Sequence, residues 1–115
     1  MTITMPRGDI RDVRFTVYDS DDQISDVDFD EIYMTVKKRA GDATALLQKT
    51  LTGSGITKLD TGVYQFRIQA EDTDDLAIGL YAFDIELCFE NSVKQTTVGT
   101  LELTPEVTHA SNEGD

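Results

Sequence analysis

Apolar residues recur every second position along most of this chain, the spacing of half-buried β-strands rather than helices. Val13, Phe15 and Val17 alternate with Arg14 and Thr16, and Tyr18 leads into the turn-forming cluster Asp19-Ser20-Asp21-Asp22. Ile32, Met34 and Val36 alternate with Tyr33, Thr35 and Lys37. Gly41-Asp42 marks a turn, and Leu47, Lys49 and Leu51 predict a short third strand. Gly53-Ser54-Gly55 breaks the chain before a short strand over 56–59, and Asp60-Thr61-Gly62 is a tight hairpin turn. Tyr64, Phe66 and Ile68 then alternate with Gln65 and Arg67, the cleanest amphipathic strand in the chain.

The acidic stretch Glu71-Asp72-Thr73-Asp74-Asp75-Leu76 predicts a single helical turn, with acid favoured near its N-terminus and Leu76 plugging one end of the core. Gly79 permits a turn into Leu80–Phe89. There Tyr81, Phe83, Ile85 and Leu87 face one way, while Ala82, Asp84, Glu86 and Cys88 face the other. Glu90-Asn91 is a hairpin turn, and the chain returns over Val93–Leu103 with a bulge expected at Gly99. The expected product is an all-β, immunoglobulin-like antiparallel sandwich of about seven strands with one short helical turn. One domain spans residues 1–108, and 109–115 form a polar tail.

At 115 residues the chain fits a single core. Ten Lys and Arg against 22 Asp and Glu give a formal net charge of −12. Such a surface repels nucleic acid and anionic membranes alike, so neither is an expected partner. Its single cysteine, Cys88, excludes an internal disulfide and points to a reducing compartment. No run of about 18 apolar residues predicts a membrane helix. The N-terminus lacks the basic flank and apolar stretch of a signal peptide, and Met1 reads as a true start.

The candidate chemistry is thin. His109 falls in the tail, without the rigid frame that a metal site or catalytic relay needs. Gly53-Ser54-Gly55 lacks the lysine and following helix of a phosphate loop. The run Asp19, Asp21, Asp22, Asp26, Asp28, Asp30 and Glu31 raises a calcium hypothesis. It fails the EF-hand pattern, because Ile24 stands where glycine belongs and Asp30 where glutamate belongs. Arg7-Gly8-Asp9 is an adhesion tripeptide by sequence, but three-residue matches arise often by chance and Gly8 reads as a flexible entry to a strand. Carboxylate-pair glycoside hydrolysis loses weight because the chain has no Trp to stack a sugar. No catalytic, cofactor-binding or metal-ligating residue is assigned, no cofactor is implied, and the chain is expected not to be an enzyme.

Five segments in order carry a family resemblance. Arg7-Gly8-Asp9 leads into Phe15-Thr16-Val17 and the Asp-rich turn. Val36-Lys37-Lys38 is followed by Leu47-Gln48-Lys49, and Gly55-Ile56-Thr57 by Thr61-Gly62-Val63-Tyr64. Glu71-Asp72-Thr73, Leu76, Gly79 and Tyr81 precede Phe83-Asp84-Ile85-Glu86-Leu87, and 99–108 close the series. Residues 7–108 so ordered resemble the N-terminal immunoglobulin-like domain of phage and prophage baseplate upper proteins. Ala70 stands where members often have proline, and Asp21-Asp22 where they often have Asp-Gly. The resemblance implies a non-enzymatic tail or baseplate adaptor located in the virion. Its partners would be other tail subunits, with a homo-oligomer possible. The rival expectations are a carbohydrate- or calcium-dependent binding or adhesion module and an enzyme or enzyme accessory domain.

Overall fold

The computed structural model describes residues 1–105. Two sheets face each other. One is built from β1 (Thr2–Pro6), β8 (Ser92–Thr104), β7 (Gly79–Phe89), β3 (Glu31–Lys37) and β4 (Leu47–Thr50), in that spatial order. The other is built from β2 (Arg11–Thr16), β6 (Val63–Ile68) and β5 (Ile56–Asp60). A single helical turn, α1 (Ala70–Thr73), connects β6 to β7. This is the expected all-β sandwich, and the strand order matches the immunoglobulin plan: β2, β6 and β5 stand for B, E and D, and β8, β7, β3 and β4 for G, F, C and C′.

The four core faces read from the periodicity are the ones that fill the interior. Ile32, Met34, Val36, Tyr64, Phe66, Ile68, Tyr81, Phe83, Ile85 and Leu87 are all buried. Val17 joins them, while Val13 and Phe15 pack partly buried against the cluster. The Phe15 ring stacks on Tyr64 with centroids 5.7 Å apart, within the usual range for aromatic pairs.

A second feature confirms the immunoglobulin plan. Tyr81 stands near the start of β7, and its hydroxyl donates to the Ala77 carbonyl four residues upstream at 2.5 Å. That is the tyrosine corner of such sandwiches. Lys38 Nζ lies 4.6 Å from the ring centroid on the same tyrosine. Phe83, two residues on, fills the place where antibody domains carry a disulfide cysteine, so packing replaces the crosslink.

The structure corrects the sequence reading in three places. First, the described residues form eight strands, because Thr2–Pro6 forms β1 and pairs with β8 from Thr2↔Thr100 to Pro6↔Thr104. This pairing is parallel, so the larger sheet is mixed rather than purely antiparallel. Second, Gly99 is not a bulge. It pairs in register with Phe83, and the shift lies between Leu87 and Cys88. Glycine is needed there because a Cβ would come within 2.5 Å of the Met1 carbonyl oxygen and 2.6 Å of the Phe83 ring. Third, the helical turn is Ala70–Thr73, shorter than expected. Its fully buried Thr73 closes that end of the core, accepting from the Gly8 amide at 2.8 Å, while Leu76 is only partly buried. A capping box holds the turn: Asp72 Oδ2 accepts from the Gln69 amide at 2.7 Å and also meets Lys49 Nζ at 2.7 Å.

Candidate functional site

The acidic run does not assemble into a cation site. Asp19 Oδ1 accepts from the amides of Asp21 and Gln23 at 2.8 and 3.0 Å, closing its own turn. Asp28 pairs with Lys58 at 2.8 Å, and Asp30 Oδ2 accepts from the Glu90 amide at 2.6 Å. Glu31 receives the Ile32, Leu51 and Thr52 amides and the Thr52 hydroxyl. These carboxylates face different partners because they stabilise different turns. Among the described residues, no three His, Cys, Asp or Glu side chains stand together as a metal site.

The other sequence candidates fare no better as chemistry. The Arg7-Gly8-Asp9 tripeptide is tied into the fold. The Arg7 amide donates to the Thr104 carbonyl at 3.0 Å and its guanidinium to the Leu76 carbonyl at 3.3 Å. Cys88 lies half-buried on the outward side of β7, as its alternation required. Burial pushes its thiol above the ordinary range, and the carboxylates of Glu86, Glu31 and Asp30 push the same way. That environment disfavours the thiolate, the reactive form of cysteine. His109 and the tail over 109–115 lie outside the described residues.

What the fold does build is an outward face on the five-stranded sheet. Because side chains alternate, every residue between the core positions of β3, β7 and β8 points away from the sandwich interior. Thr35, Asp84 and Val98 lie abreast on three neighbouring strands, as do Lys37, Ala82 and Thr100. With Met1, Thr2, Ala40, Phe83 and Gly99 they line a concavity of about 480 Å³. Gly99 lies between Val98 and Thr100 and faces inward, toward the Phe83 ring, so it borders this concavity through its backbone. Gln48 on β4 donates to the Thr35 hydroxyl at 3.1 Å and orients it.

Asp84 is the notable group in this concavity. Its Oδ1 is buried with no hydrogen-bond partner among the described residues. An unpaired buried carboxylate oxygen is costly and is normally met by a donor. The hydroxyl-rich surroundings and the Lys37 side chain make this a place where a ligand's hydroxyl groups find acceptors and donors together. A second concavity, about 320 Å³, lies further along the same face and is lined by Asp30, Glu31, Tyr33, Cys88, Asn91, Ser92 and Val93. Sequence reading assigned Asp84 and Tyr33 to the polar side of their strands, but no motif marks them. Only the adjacency of β3, β7 and β8 brings them onto one surface.

No protein-family model matches the sequence, and no curated protein matches it. Among solved structures, the chain is similar in fold to the endo-β-1,4-mannanase from Thermotoga petrophila, with a TM-score of 0.59 and 15% sequence identity. The match covers 91% of this chain but only 18% of the mannanase chain. This finding overturns the expectation of a virion tail adaptor: the shared architecture occurs within a polysaccharide-degrading enzyme, and nothing in it supports a phage role. The reason is physical. The ordered strand and turn segments that carried the resemblance are what any sandwich of short strands requires, so they report the fold and not a task. What this likeness establishes is that fold: a small β-sandwich that matches a minor part of a large glycoside-cleaving chain.

Proposed function

We propose that this chain is a non-catalytic carbohydrate-binding module that holds a glycan on the outer face of its five-stranded sheet. The observation that carries the proposal is the concavity over β3, β7 and β8, where Thr35, Lys37 and Thr100 surround the buried, unpartnered Asp84 oxygen. A sugar hydroxyl supplies the donor that Asp84 lacks, and the threonine hydroxyls and Lys37 complete its hydrogen bonds. The fold likeness to a region of a mannanase supports the ligand class. Asp84 is the one carboxylate among the residues lining this concavity, whereas glycoside hydrolysis ordinarily uses two. Binding without cleavage is therefore the chemistry to expect.

Isothermal titration with soluble β-1,4-mannan oligosaccharides tests this. The expected result is saturable binding with no release of new reducing ends, weakened about tenfold or more in Asp84→Ala, as for loss of a hydrogen bond to a charged group. Absence of binding to the folded protein, or equal binding by Asp84→Ala, overturns it.

A further inference from the structure

The two outer concavities share one line of strand. Asp84 in the first and Cys88 in the second are four positions apart on β7, and Thr35 and Tyr33 are two apart on β3. At about 3.3 Å per residue, Asp84 and Cys88 are about 13 Å apart. Glu86 on β7 and Thr96 on β8, paired with each other, occupy the stretch of face between them. The first concavity is rich in hydroxyls. The second carries the tyrosine of this face, Tyr33, a ring with a polar tip suited to lie against the apolar side of a sugar.

Charge narrows the ligand further. The outward residues that accept hydrogen bonds include Asp84, Glu86 and Glu102, on a chain of net charge −12. Carboxylates accept readily from hydroxyl groups and repel anions. Polyuronates and sulfated glycans are disfavoured on such a surface, and neutral sugars are not.

Resting on the carbohydrate reading above, we infer that the ligand is a neutral, linear oligosaccharide running along β7, engaged at one end by Asp84 and Thr35 and at the other by Tyr33. A monosaccharide would fill one concavity; an extended chain would occupy both, and the second contact would be gained as an intramolecular event.

The test is a chain-length series on the intact protein, using mannobiose and mannohexaose, with a galacturonate hexamer as the anionic probe. Mannohexaose is expected to bind about tenfold or more tightly than mannobiose. Tyr33→Ala is expected to abolish that gain, bringing mannohexaose down to the affinity of mannobiose, and Tyr33→Phe, which keeps the ring, to retain it. The galacturonate hexamer is expected to bind at least tenfold more weakly than mannohexaose. Equal affinity for the short and long mannans overturns the two-contact ligand and leaves the carbohydrate reading standing. So does a Tyr33→Ala variant that binds mannohexaose as the parent does. Tight binding of the galacturonate hexamer overturns the neutral class. Failure of every sugar to bind overturns the carbohydrate reading itself, and this inference with it.

Discussion

Tyr81 and Tyr64 are both deeply buried, yet their hydroxyls are placed differently. Tyr81 donates to the Ala77 carbonyl and so fastens the entry of β7 to the loop after α1. The Tyr64 hydroxyl is buried without a well-formed hydrogen bond, and burial raises its pKa. Removing a hydroxyl that satisfies a carbonyl costs about 0.5–1.5 kcal/mol, whereas removing an unsatisfied one costs little. Tyr81→Phe should therefore lower unfolding free energy by about 1 kcal/mol in urea titration, and Tyr64→Phe should leave it unchanged or raise it slightly. A larger loss for Tyr64→Phe than for Tyr81→Phe would reverse this account. Both residues were legible as core from alternation alone. Their hydrogen bonding was not, because it depends on where a loop carbonyl falls after folding. Asp84 shows the same limit from the opposite side: its outward direction follows from period two, but its buried oxygen depends on neighbours from two other strands.

Strand β3 is held at its start by Glu31. Its carboxylate gathers amides from Leu51 and Thr52 and the Thr52 hydroxyl, tying the first residue of β3 to the loop that leaves β4. Burial alone would raise the Glu31 pKa, but the hydrogen bonds from Thr52, Ile32 and Leu51 together lower it. A carboxyl with a depressed folded-state pKa adds stability that is complete above its unfolded value, about 4.3. That stability is lost as pH falls through the lower folded value. Glu31→Ala is expected to cost about 2 kcal/mol at neutral pH, since its bonds are charge-assisted. The gap between parent and variant should then narrow below about pH 4. A gap constant from pH 7 to pH 3 would contradict the linkage.

Element boundaries in the second half of the chain were legible because Asp60-Thr61-Gly62 and Glu90-Asn91 are strong turn signals. Glu90 and Asn91 both adopt positive φ, 54° and 63°, as a two-residue hairpin turn requires. β1 was not recognised, although Ile3 and Met5 alternate and are buried. A strand that pairs in parallel with a partner almost a hundred residues away leaves no local hairpin signature.

At the scale of the molecule, the sandwich separates a packed interior from a polar outer sheet face. The strong negative charge is divided between turns that use their carboxylates locally and a face that leaves Asp84 unpaired. Composition directed attention to the surface, but it could not say which part of the surface matters. The ordered segments that resembled a baseplate domain encoded strand spacing, and strand spacing belongs to many sandwiches of unrelated function. The outer face becomes visible as a site only when three strands distant in sequence lie side by side.

The most direct measurement is an NMR titration of the labelled protein with mannohexaose, followed at backbone amides. Binding on the outer face predicts saturable shifts at Thr35, Asp84, Val98 and Thr100, with the amides of β2 and β5 unmoved. Shifts centred on β2 and β5, or none at millimolar sugar, would contradict the assignment of this face as a glycan-binding surface.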